Sequence, residues 1–295
     1  MSLGQIGTHA RHMQELDRYV PAEEYDVEYY ERWYPTDGFL KRELDRRTRN
    51  AMDLAGIRNG MKLIDIGCGP GDLAFSCAEV GCHVTGVDYS RSAIEIAEEK
   101  LHSYPAETAA NINLELMNAK SLGFPDDQFD VAFMTDVVEH LYPEELELAL
   151  SEAIRVLRAS GRLVIRTAPN AWLVKPIYRL AGLLMRTGSW DTELYHVNEL
   201  SARSMAKYLR KLGAPFQVVM GKANENYYLA HLPEVAGPRL RTLAKAIDWV
   251  LDSRVGEAVV FRTPLKLFLG TEIWAVVDLP AGSQQPHQVS VNGAN

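Results

Sequence analysis

Gly67, Gly69 and Gly71 alternate in the run Leu63-Ile-Asp-Ile-Gly-Cys-Gly-Pro-Gly71, and Asp72 follows directly. Glycine lets a backbone turn sharply and approach a ligand closely, and a helix starting just past such a turn offers its amides to the same ligand. Further on, Asp88 closes a second apolar run, Cys82 to Val87. A carboxylate at a strand end can accept both hydrogen bonds of a ribose diol. The glycines alone are compatible with a tight turn that binds nothing. With Asp88 in place, the pattern points to a nucleoside-containing ligand.

The surrounding residues restrict which nucleoside. A dinucleotide fingerprint would need glycine where Asp72 stands, and a carboxylate at a helix N-terminus repels a pyrophosphate. No Gly-Lys-Ser/Thr follows, so a P-loop is excluded. S-adenosylmethionine carries no phosphate, and its ammonium calls for an acid that Asp65 can supply. The alternative for Asp65 is a structural bond to nearby backbone. Cys68 reads as a small apolar residue packed in the turn.

A second group is Asp136, Glu139 and His140 in Thr135-Asp-Val-Val-Glu-His-Leu141. Spacing i, i+3, i+4 puts all three on one face if the segment is helical. They could line an active site, with His140 as a general base, or form a helix-start cluster in which Asp136 caps. His196 is a second base candidate or an ordinary loop histidine. Arg46, Arg47 and Arg49 read as a solvated helix face. Tyr25, Tyr29, Tyr30, Trp33 and Tyr34 read as an N-terminal helix packed on the domain, with a lid or an aromatic docking surface as alternatives.

These residues need elements to hold them. Apolar runs at Lys62 to Ile66, Cys82 to Val87, Ile112 to Leu116, Phe129 to Met134 and Gly161 to Thr167 alternate with helical patterns over Asp72 to Val80, Ala93 to Leu101 and Pro143 to Leu157. This rhythm predicts a parallel sheet with helices on both faces. Phe39 to Ala55 has helical spacing. Beyond Pro169 the rhythm breaks, with helices expected at Ala171 to Met185, Glu199 to Leu212 and Arg239 to Leu251, and strands at Phe216 to Met220 and Glu272 to Val277. The expected organisation is an arm and aromatic segment at 1–38, one domain at 39–280 with insertions near 171–190 and 221–270, and a disordered tail at 281–295.

Four segments in order carry a family resemblance. Leu63 to Leu73 resembles motif I of class I S-adenosylmethionine-dependent methyltransferases, and Val84-Thr-Gly-Val-Asp-Tyr-Ser90 their ribose-binding strand end. Phe124-Pro-Asp-Asp-Gln-Phe-Asp-Val-Ala-Phe133 and Leu157-Arg-Ala-Ser-Gly-Arg-Leu-Val-Ile165 resemble the entries to their strands four and five. Thr135 to Leu141 is similar to a segment of the quinone-biosynthesis O-methyltransferase and small-molecule branch. The resemblance implies a doubly wound, seven-stranded, mostly parallel α/β sheet with an antiparallel last strand and inserted helices near the acceptor side. It implies that the donor is held by Arg47, Asp65, Gly67, Cys68, Gly69, Gly71, Asp88, Tyr89, Asn118, Ala119 and Thr135, with Arg47 toward the methionine carboxylate. It also implies a divalent metal on Asp136, Glu139 and His140, beside the alternative of no metal. The activity implied is methyl transfer to a small-molecule hydroxyl, with His140 and then His196 as bases.

Bulk properties set the rivals. A net charge of −8 over 295 residues argues against a general nucleic-acid binder. Cys68, Cys77 and Cys82 form no CxxC pair, which suits a reducing cytoplasm. The N-terminus has no apolar signal core. Ala171 to Met185 is broken by Lys175, Pro176 and Arg179, so it reads as a lid over the acceptor, or as peripheral membrane contact through 171–186, and not as a span. Rival functions are a non-catalytic S-adenosylmethionine-binding or partner-activating subunit, and a nicotinamide oxidoreductase disfavoured by Asp72.

Overall fold

The computed structural model describes residues 20–33, 45–168, 170–171, 197–221, 238, 241–242, 245–246, 248–249, 253, 255, 259–260 and 262–282. Strands β1 (Lys62–Ile66), β2 (His83–Asp88), β3 (Ile112–Leu116), β4 (Phe129–Thr135), β5 (Leu157–Thr167), β6 (Phe216–Gly221) and β7 (Glu272–Asp278) form one sheet in the order β3-β2-β1-β4-β5-β7-β6. Neighbours from β3 to β5 pair in parallel, whereas β7 runs antiparallel to both β5 and β6. This is the Rossmann-like class I methyltransferase arrangement that the sequence resemblance implies. The chain moves outward from β1 to β3 and then returns to β4. The carboxyl ends of β1 and β4 therefore diverge at a switch point, the usual ligand crevice of such sheets.

The central strands are apolar on both faces because helices cover both. Alternation along β4 sends Ala132 and Met134 to one side and Val131 and Phe133 to the other. The first side packs on α6 (Pro143–Arg155) and α7 (Ala202–Lys211) through Leu146, Leu150, Met205 and Leu209. The second packs on α2 (Arg46–Ala55) and α3 (Asp72–Glu79) through Ala51, Leu73, Ala74 and Cys77. The helices α1 (Val27–Trp33), α4 (Arg91–Leu101), α5 (Ala106–Ala109) and α8 (Lys266–Leu269) complete those described as continuous segments.

Helix limits follow their caps. The Asp45 carboxylate accepts from Thr48 N at 2.6 Å and starts α2, while Gly56 at φ 67° ends it. The helical pattern before Asp45 lies outside the described residues. Pro143 occupies the first turn of α6, and the Glu145 side chain accepts from Tyr142 N at 3.1 Å. Strand five differs from expectation. It starts at Leu157 because Leu157 pairs with Phe129, and the Ser160–Gly161 turn signal sits inside it as an irregularity, with Ser160 at φ 63°.

In the N-terminal segment, Val20, Tyr25 and Tyr30 are buried with Ala93 in one cluster. Of the expected insertion at 171–190 only Ala171 is described, and of the tail only Ala281 and Gly282. Cys68, Cys77 and Cys82 are buried free thiols. Among the described residues no helix is long and apolar enough to cross a membrane.

Candidate functional site

The loops after β1, β2 and β4 converge on one cavity of about 270 Å³. Its floor is the glycine turn. Gly67, Gly69 and Gly71 all have positive φ, at 74°, 52° and 84°. A Cβ on Gly67 would overlap Val137 Cγ2, and one on Gly71 would overlap the Phe75 ring. Glycine is required there both for conformation and for space. Gly67 N and Cys68 N donate to Val87 O at 2.7 and 3.0 Å, which joins the turn to the end of β2.

Asp88 braces the same turn from below. One oxygen accepts from Gly69 N and the other from Ser90 N, each at 2.9 Å. Burial pushes its pKa up while these backbone donors pull against the rise. Each carboxylate oxygen has a further lone pair for a diol. Asp65 is different. It is 2% exposed, it lines the cavity, and its Oδ1 has no hydrogen-bond partner in the structure. Burial, and then the Asp88 charge, push its pKa up to about 7, with Arg47 working the other way. A buried carboxylate on a cavity wall, with one oxygen lacking a donor, fits a cationic group of a ligand.

The adenine-side candidates Asn118 and Ala119 line the cavity with Met117, and Asn118 Oδ1 accepts from Lys120 N at 2.9 Å. Tyr89 lines it too, its hydroxyl donating to Val20 O at 3.2 Å. Burial drives the Cys68 thiol well above its ordinary pKa, in keeping with a packing role. Asp72 is paired with Lys100, whose Nζ also lies 5.4 Å from the centre of the Phe75 ring. The repulsion toward pyrophosphate that the sequence attaches to Asp72 is thus partly offset.

Thr135 and Asp136 close β4 over the cavity. Asp136 does not share a helix face with Glu139 and His140. Its φ is +59°, and the following 3-10 turn spans only Val138–His140. Its Oδ2 accepts from Arg47 Nη1 at 2.8 Å and its Oδ1 from Arg166 Nη1. Burial opposes its charge, but Arg166 and Arg47 outweigh that and hold its carboxyl below the ordinary range. Both Asp136 oxygens accept from guanidinium groups, whose two positive charges disfavour a divalent cation on this carboxylate. Among the described residues no three His, Cys, Asp or Glu side chains stand together as metal ligands.

His140 lines the cavity and its Nδ1 lies 2.8 Å from the Tyr25 hydroxyl, the rings meeting edge to face with centroids 5.5 Å apart. Tyr25, Tyr29 and Tyr30 form the remaining wall. The aromatic segment therefore both packs on the domain and covers the cavity. His196 lies outside the described residues. Its neighbour Val197 packs against the tyrosine cluster. Arg166, absent from the sequence reading, is the buried node that ties Asp136 to Glu272, its Nε standing 3.0 Å from Glu272 Oε2. A charged residue directly after the apolar run Leu163 to Ile165 was the available signal.

Comparison with known proteins bears on the domain and the fold. Residues 64–165 match the family model of the methyltransferase domain, so the chain carries that domain there. Curated relatives include the 27-O-demethylrifamycin SV methyltransferase of Amycolatopsis mediterranei, 31% identical over 45% of this chain and 48% of the relative. A ubiquinone/menaquinone biosynthesis C-methyltransferase of Geobacter sulfurreducens is 31% identical over 49% of this chain and 59% of its own length. A ubiquinone biosynthesis O-methyltransferase of Bartonella bacilliformis is 29% identical over 38% and 43%. The chain spans about half the length of the curated relatives it matches. Among solved structures, an S-adenosylmethionine-dependent methyltransferase from Archaeoglobus fulgidus superposes with a TM-score of 0.55 at 18% identity, covering 85% of this chain and 97% of that one. The 4+2 cyclase SpnF gives 0.55 at 20% identity, covering 80% and 81%. Fold alone therefore does not decide the reaction.

Proposed function

We propose that this chain, which carries a methyltransferase domain over residues 64–165, transfers the methyl group of S-adenosylmethionine to a hydroxyl of a small-molecule acceptor. The observation that carries the reading is Asp65, a buried carboxylate on the cavity wall with one oxygen that has no hydrogen-bond partner, beside a glycine turn that only glycine can form. When bound, the donor supplies an electrophilic methyl group on its own good leaving group. The protein's share is then positioning and water exclusion.

Asp65 would take the ligand's ammonium and Arg47 its carboxylate. The turn at Gly67, Cys68, Gly69 and Gly71 would lie along the amino-acid chain, with Thr135 opposite. Asp88 and Tyr89 would hold the ribose, and Asn118 and Ala119 the adenine edge. Tyr25, Tyr29 and Tyr30 exclude water from above. His140 would take the acceptor's hydroxyl proton. Its Nδ1 lies 2.8 Å from the Tyr25 hydroxyl, a contact that would orient the ring for that transfer. His196 stays the second candidate, from the sequence alone. The O-methyltransferases among the relatives favour an oxygen acceptor; a carbon acceptor would need less help from a base.

The test has two stages. S-adenosylhomocysteine should bind in calorimetry at micromolar strength, and NADH should not. Purified protein with radiolabelled methyl donor and a panel of hydroxylated small molecules should then give a labelled ether, recognised by its methoxy resonance. Absence of S-adenosylhomocysteine binding sinks the whole reading; labelling on carbon overturns the oxygen assignment alone.

A further inference from the structure

We infer that Glu145 is a positioning residue for recognition of the donor's base, acting through Lys120 to hold the Asn118–Ala119 edge in place. The inference rests on the reading of the cavity as an S-adenosylmethionine site. Asn118 to Ser121 make a tight turn just past β3. Ser121 N donates to Asn118 O at 3.0 Å, and Lys120 N donates to Asn118 Oδ1 at 2.9 Å. The second bond orients the Asn118 amide, whose oxygen has one more lone pair to offer the amino group of an adenine. Both bonds are internal to the turn. They set its shape and not its place in the cavity.

Its place is set from α6. Lys120 Nζ donates to Glu145 Oε1, and the two side chains, 29% and 12% exposed, both line the cavity. The other Glu145 oxygen accepts from Tyr142 N at 3.1 Å and so caps the helix. One carboxylate thus joins the start of α6, just past His140, to the turn that carries Asn118. Two helical turns further on, Glu152 Oε2 accepts from Leu122 N at 2.8 Å. Arg155 donates to Leu122 O and to Phe124 O, each at 2.8 Å. These four residues do not line the cavity, and they fasten the rear of the segment whatever happens at its front. The Lys120–Glu145 pair fastens the front. A partly exposed ion pair adds little to stability, so its effect falls on how the turn meets a ligand.

Glu145→Gln and Lys120→Met test the idea. Glutamine can still accept from Tyr142 N at this helix position but loses the charge that holds Lys120. Methionine keeps the apolar stem and loses the ammonium. Two ligands are titrated in parallel: S-adenosylhomocysteine, and S-inosylhomocysteine, in which a carbonyl replaces the adenine amino group. Wild-type protein should prefer the adenine compound. Each variant should weaken S-adenosylhomocysteine about fivefold, the size of one neutral hydrogen bond, and leave the inosine compound within about twofold. The double variant should be no weaker than either single one, because both changes break the same pair. Equal loss for both ligands, an unchanged affinity for S-adenosylhomocysteine, or additive losses in the double variant overturns the inference. So does a wild-type protein that binds the two bases alike. If Glu145→Gln does not fold, Lys120→Met and Lys120→Gln carry the same two-ligand comparison. Failure of wild-type protein to bind S-adenosylhomocysteine would instead refute the proposed function.

Discussion

Replacing Asp65 by Asn should make the ligand-free protein more stable and the donor site weaker. The unfolded carboxyl ionises near 3.8 and the folded one near 7, so between those values the native state keeps a proton that the unfolded state has lost. Stability therefore falls as pH rises through that window, and above it the fold carries a buried charge. At about 1.4 kcal/mol per pH unit the cost is on the order of 4 kcal/mol. Asn has the same shape and no charge. At pH 8 the Asp65→Asn protein should melt roughly 5–10 °C above wild type, and near pH 4 the two should coincide. Binding should move the other way. Loss of a charge-assisted bond to the ligand's ammonium costs ~1.5–3 kcal/mol, or about 10–150-fold in affinity for S-adenosylhomocysteine. Wild-type affinity should also fall about tenfold per pH unit below 7, as the carboxyl takes up its proton. The Asn variant should show no such slope. Calorimetric titrations and melting curves from pH 5.5 to 8.5 decide the matter. A wild-type affinity flat across that range, or a variant no more stable at pH 8, refutes the argument.

Gly67→Ala should cost about 2–4 kcal/mol in chemical denaturation, because alanine at φ +74° is strained and its methyl overlaps Val137 Cγ2. Adding Val137→Ala should restore only the part due to overlap. Tyr25→Phe removes the hydroxyl 2.8 Å from His140 Nδ1; it should lower kcat for a hydroxyl acceptor by about tenfold, with S-adenosylhomocysteine affinity within twofold. An unchanged kcat would mean that His140 is oriented by something else. Dialysis against EDTA should leave methyl transfer intact, since both Asp136 oxygens are held by arginines; loss of activity restored by a divalent cation would contradict this account of Asp136.

The glycine turn was legible in sequence because its causes are local. A strand period, three glycines and a helix start lie within a dozen residues, and Asp88 marks the next strand end. The triad spacing misled for a local reason as well. It presumes a continuous helix from Asp136 to His140, whereas Asp136 turns left-handed and only a 3-10 turn follows.

Other features had no local trace. Tyr25 meets His140 across 115 positions, and Arg166 meets Glu272 across 106. Strand pairing brings β5 beside β7, so the register Arg166↔Trp274 puts Glu272 within reach of the Arg166 guanidinium. The sequence alone determined the order of strands and helices, the donor-loop motif and the resemblance it carries, because backbone conformation follows short-range periodicity and glycine placement. Only the tertiary structure decided that Asp65 has an oxygen without a donor, that Asp136 belongs to two arginines, and that the N-terminal tyrosines wall the cavity. Burial and charge pairing are properties of what folding brings together, and no stretch of sequence contains its own neighbours.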